Sequence, residues 1–144
     1  MTKQYIDVTQ ESGKAFVMRG IEGDIVMLNL LRFREIADYS ANPELAPDNL
    51  ISGREAYQLY MAHTTPFLQA YGSELLFVGD GSNFLIGPMD EVWDMVLLVR
   101  HQSVQKFMAF AADEAYLASA GHRTAALQDS RLLPFSELQG NNIL

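Results

Sequence analysis

Two stretches of this chain read as strands that are apolar on both faces, "DIVMLNLLRF" at 24–33 and "WDMVLLVRH" at 93–101. A strand with one wet face alternates apolar and polar side chains, so a strand that does not alternate has to be covered on both sides. The rest of the chain supplies helices for one of those faces. The other face needs a cover of its own, and a second copy of the chain is the simplest one.

The elements around these strands follow from capping and periodicity. Thr9 is placed to cap a short helix through about Arg19 that buries Phe16 and Val17, with Gly20 and Gly23 ending it. Residues 34–52, "REIADYSANPELAPDNLIS", hold two prolines and several turn formers. They read as an excursion containing a short helical turn, long enough to suggest a function. Ser52 opens the clearest helix, with Glu55 at capping-box spacing. Ala56, Tyr57, Tyr60, Met61, Thr64, Phe67, Leu68 and Tyr71 fall on one arc about 140° wide. Pro66 is expected to kink this helix or to force a tighter turn near it. "ELLFVG" and "NFLIGP" read as a hairpin around "GDGS". Ser103 caps a further helix, Asp113 restarts it, Gly121 ends it, and 121–135 follows as the last strand. "GNNIL" reads as a loose tail.

The order β, α, β-hairpin, β, α, β predicts an α+β, ferredoxin-like sandwich, an antiparallel sheet with helices on one face. The 144 residues suit a single domain over 1–144, with an N-terminal helical arm over about 1–22.

Charge and composition narrow the function classes. The net charge of −8 repels phosphate backbones, so nucleic acid is not the expected partner. The absence of cysteine removes disulfides, thiolate nucleophiles and thiolate metal sites. The first residues lack the pattern of a signal peptide. The apolar run "MVLLV" is too short to span a bilayer. No membrane association and a cytoplasmic location are therefore the expectation.

Known motifs are few. "ESGKAF" lacks the upstream glycine of a phosphate loop, and "GDGSNFLIG" is a glycine-rich hairpin rather than a strand-to-helix phosphate turn. His63, His101 and His122 show no ligand spacing, so neither a metal nor another cofactor is expected; His63 reads as packing on the flank of its helix. Asn29 interrupts an apolar strand and needs a partner, which is either a neighbouring backbone group or the oxygen of a ligand. Arg32 lies on the opposite face, with a salt bridge to a helix acid as its plain reading. Trp93 reads as core or as the flat wall of a pocket, and Asp94 as a partner for an arginine.

The segment "GHRTAALQDSRLLPF" at 121–135 fits no plain half-buried strand, because polar residues stand on both of its faces. Asp129 and Arg131 share a face and can pair with each other, and a bulge near Asp129 would explain the broken alternation. Arg123, at the strand's entry, is expected to face the same cavity as Asn29 and to meet a carboxylate or enolate-like oxygen there. A surface pair with Glu114 is the plainer alternative.

"MLNLLRF", "SGREAYQLY", "VWDMVLLVRHQSVQKFMAF" and "YLASAGHRTAALQDSRLL" together resemble the domain-of-unknown-function family numbered thirteen-thirty, within the dimeric α+β barrel superfamily. The resemblance covers roughly 24–134. It implies a ferredoxin-like subunit whose sheet packs on a partner's sheet as a dimeric α+β barrel, with ligands held between sheet and helices. It implies no particular reaction. The candidate ligand-binding residues are Asn29, Arg32, Trp93, His122 and Arg123. Two classes stay open: a cofactor-independent oxygenase or isomerase acting on a small acidic metabolite, and a non-catalytic ligand-binding or structural homodimer.

Overall fold

The computed structural model describes residues 3–138; the expected tail at 140–144 lies outside the described residues. The elements are α1 (Gln10–Met18), β1 (Ile25–Phe33), a single 3-10 turn (Pro43–Leu45), α2 (Gly53–Ala70), β2 (Glu74–Asp80), β3 (Met95–His101), α3 (Val104–Ala112), α4 (Glu114–Ser119), α5 (Gly121–Ala126) and β4 (Leu127–Phe135). The strands form one antiparallel sheet in the order β2-β3-β1-β4. With the helices packed on it, this is a ferredoxin-like α+β fold.

The register divides the apolar residues between two faces. Met27 pairs with Val99, and Leu31 with Met95. These side chains point to the helix layer, because successive residues of a strand alternate faces. Leu31, Leu97, Val99 and Leu127 pack there against Ala56, Tyr57, Tyr60 and Leu68 of α2 and Phe110 of α3. Ile25, Met27 and Val104 form a second cluster with Phe16 of α1, whose ring meets Phe107 edge-on. The opposite face carries Leu28, Leu30, Val96 and Leu98, which are only half-buried. Phe77 and Leu133 flank them at 55% and 56% exposure.

The three expected caps, at Thr9, Ser52 and Ser103, all form. Thr9 Oγ1 accepts from Ser12 N, Ser52 Oγ accepts from Glu55 N, and Glu55 reaches back to Ser52 N. Pro66 sits inside α2 without ending it. Three expectations need correction. Val17 is exposed, because the short α1 meets the body of the fold only through Phe16. "NFLIGP" is not a strand: β2 pairs directly with β3, only an isolated Asn83–Val92 bridge lies beyond, and Leu85 and Ile86 stand in solvent. Residues 121–126 are helix α5 rather than the start of the last strand, so His122 and Arg123 are helical residues.

Candidate functional site

The polar residues of 121–135 have a definite use. Asp129 Oδ1 accepts from Tyr5 N at 2.9 Å and from Arg131 Nη1 at 2.6 Å. Ser130 Oγ donates to Tyr5 O at 2.6 Å, and Arg123 Nη1 donates to Ile6 O at 2.8 Å. Together they fasten the segment before α1 along β4 and α5. The Arg131 guanidinium lies between the rings of Tyr5 and Trp93, 4.9 Å from each centroid. The bulge falls where expected, between the pairs Arg32–Asp129 and Phe33–Leu127.

A second cluster lies where the 34–52 excursion crosses α2 and α5. The excursion is pinned by Ala37 N–H to Ile51 O and by Asp38 N–H to Ala125 O, each at 2.9 Å. Its turn packs on the start of α5, where a side chain at Gly121 would collide with Asn42 and Leu45. This seating places the Tyr39 hydroxyl 2.7 Å from His122 Nδ1. The His122 ring stacks on His63 of α2, nearly parallel at 4° with centroids 5.3 Å apart. His122 is buried and His63 exposed. Burial, reinforced by the charge His63 can carry, holds the His122 imidazole below its ordinary pKa; burial alone holds the Tyr39 phenol above its own. Both groups are therefore neutral near neutral pH.

Tyr39 also lines a pocket of about 120 Å³. The other walls are Ala37, Ala46, Pro47, Leu50 and Ile51, with the amide of Asn49 among them. The site is thus a small apolar recess with one amide and one phenol, and the phenol is wired to a buried imidazole. Deeper in the helix layer, Tyr60 and Tyr116 join hydroxyls at 2.7 Å, and Tyr71 donates to Asp113. Among the described residues, Thr64 Oγ1 and Arg34 Nε are buried without a hydrogen-bond partner.

The residues singled out in the sequence do not all converge on this site. His122 belongs to it, whereas Asn29 donates to Met27 O at 3.3 Å, the plain backbone reading. Arg32 forms no ion pair among the described residues. Trp93 is buried beside Arg131. Arg123 is committed to Ile6 and Ser130, with Asp7 at 3.9 Å, and no described contact joins it to Asn29. Asp94 accepts from Phe33 N at 2.8 Å rather than from an arginine. Tyr39 and His63 were missed as site residues, although the length of the excursion was itself a signal. No group of three or more metal-ligating side chains is arranged for a metal ion among the described residues. Nor is any described helix long and apolar enough to cross a membrane.

The sheet order, the helix layer and the recess define a ferredoxin-like α+β protein with its candidate site on the helix side. The family described as Domain of unknown function (DUF1330) matches residues 48–133, and the chain belongs to it. It is 34% identical to RPA0582, a protein of unknown function from Rhodopseudomonas palustris whose crystal structure superposes with a TM-score of 0.83 over 95% of this chain and 99% of that one. The methylated RPA0582 protein, also 34% identical, gives a TM-score of 0.84 over 96% and 98%. No curated protein matches the chain.

Proposed function

We propose that this protein is a homodimer that handles a small, largely apolar molecule in the recess formed by the 34–52 excursion. The observation that carries the reading is the double role of Tyr39, which lines the recess while its hydroxyl bonds to buried His122. A merely structural segment of this length has no need of a buried imidazole behind its pocket wall. An acidic ligand would have relied on Arg123, and that guanidinium is engaged by Ile6, Ser130 and Asp7. The recess favours an apolar body with one polar group facing Asn49 or Tyr39. Native mass spectrometry of the purified protein should reveal a retained small molecule. Adding it back to stripped protein should move the amide resonances of Ala37, Asn49, Leu50 and Ile51. Shifts confined to the open face of the sheet would place the ligand elsewhere and sink this reading.

The homodimer rests on the uncovered sheet face. Leu28, Leu30, Val96 and Leu98, flanked by Phe77 and Leu133, form a contiguous apolar patch by register, of a kind seldom left open on a monomer. Two copies joined by a two-fold axis would cover it with the same patch. Light scattering at micromolar concentration should give twice the monomer mass, and Leu133→Glu should halve it. A wild-type protein that is monomeric and folded at that concentration contradicts the assembly.

A further inference from the structure

We propose that Tyr39 and His122 are a catalytic proton-transfer pair that interconverts the keto and enol forms of a compact carbonyl compound held in the adjoining recess. The proposal rests on the reading that this recess binds a small molecule. It adds the reaction, the substrate class and the role of each residue.

The geometry supplies the parts that such a reaction needs. A C–H bond beside a carbonyl is a weak acid, so its removal needs a base within reach and a donor for the oxygen that gains charge. Tyr39 borders the recess, and its hydroxyl is 2.7 Å from His122 Nδ1, a distance at which a proton can pass. That is the only hydrogen bond of the His122 ring among the described residues. Asn49 is the amide in the lining, available to the carbonyl oxygen. Ala37, Ala46, Pro47, Leu50 and Ile51 make the rest of the lining apolar, which suits an apolar body.

The step balances without any co-reactant. Tyr39 Oη takes the proton from the carbon next to the carbonyl as its own hydroxyl proton passes to His122 Nδ1. The C–H electron pair moves into the new carbon–carbon double bond, and the carbonyl pair moves onto oxygen. This leaves an enolate facing Asn49 and an imidazolium at His122. In the second half His122 returns its proton to Tyr39, and Tyr39 delivers one to the enolate oxygen, giving the enol. The imidazolium need only be transient. Burial keeps His122 a neutral base between turnovers, and the stacked His63 disfavours a lasting second charge.

Two probes test this, cyclohexanone as a neutral ketone and 2-oxobutanoate as an anionic one. Each is incubated with the full chain in deuterium oxide, and proton magnetic resonance follows loss of the C–H signal beside the carbonyl. Binding is read separately from the Asn49 and Leu50 amide shifts. At least one probe should bind and exchange well above buffer. Tyr39→Phe should lower that rate by about a hundredfold at saturating probe, with the Asn49 and Leu50 shifts still reporting a bound probe and the protein still folded. His122→Asn, which leaves an amide near the position of Nδ1, should lower it comparably. Exchange by the neutral ketone alone identifies an uncharged substrate, and exchange by the oxo acid alone a carboxylate-bearing one. If a probe binds in the recess without exchanging, or exchanges equally in Tyr39→Phe, the proton-transfer proposal is overturned and the binding reading stands. If neither probe moves the Asn49 and Leu50 resonances or exchanges above buffer, the proposal falls together with the recess as a site for carbonyl compounds.

Discussion

Acidification from about pH 7 to about pH 4.5 is expected to cost the folded protein about 2 kcal/mol through His101 alone. His101 is buried on β3 against Phe107 and Phe110, and its Nδ1 lies 2.8 Å from Ser73 Oγ. Burial brings the imidazole down from 6.5 to about 4. Below 6.5 the unfolded chain therefore takes up a proton that the folded chain refuses. The stability is complete above 6.5 and is lost as the pH falls towards 4, a total of about 3 kcal/mol. His122 is displaced in the same direction and adds to the same loss. Asp38 and Asp113 are held below 3.8 by hydrogen bonds, from Ser40 and from Tyr71 respectively, and so titrate under this window. Urea unfolding at several pH values should show the decline, and His101→Gln should flatten most of it. A variant whose stability falls as steeply as that of the wild type would remove His101 as the cause.

The parts of this structure that were legible in the sequence are those set by near neighbours. The Ser52–Glu55 capping box acts within one turn, and the buried arc of α2 is a matter of spacing along one helix. The two-sided strands announced apolar side chains on both faces of the sheet, because composition alone shows the lack of a wet face, and the register bears this out for β1 and β3. The bulge beside Asp129 was legible because one extra residue breaks a period of two. Gly121 misled because a glycine after a helix usually marks its end in a left-handed conformation. Here its φ is not positive; it serves as room for Asn42 and Leu45, and the chain goes on as α5. "NFLIGP" misled because an apolar run looks like a strand until its partner is known, and β3 had already taken β2. The site was the least legible part. Tyr39 and His122 are 83 residues apart, and neither bears on the other's local pattern. Only the seating of the excursion on α5 brings them together.

Replacing Trp93 with alanine is expected to remove about 3–5 kcal/mol of stability, the largest effect of any single substitution considered. Trp93 is 3% exposed. Its ring is one side of the stack that holds Arg131, and its Nε1 donates to Glu91 at 3.1 Å. It also sits where the sheet begins: Trp93 N donates to Ser82 O, and the next residue, Asp94, bonds to both Leu31 O and Phe33 N. Truncation removes the transfer energy of the indole and leaves a cavity between these fixed backbone contacts, which restrict collapse. Arg131 would keep Asp129 and Tyr5, so the N-terminal segment should stay attached while the centre loosens. Trp93→Phe keeps most of the apolar surface and loses only the donor to Glu91, and should cost clearly less. Urea unfolding of the three proteins tests this, with the midpoint falling at an unchanged slope if the denatured state is unaffected. A loss under about 1 kcal/mol for Trp93→Ala would mean that the ring is not packed as core and that Arg131 is held by Asp129 and Tyr5 alone.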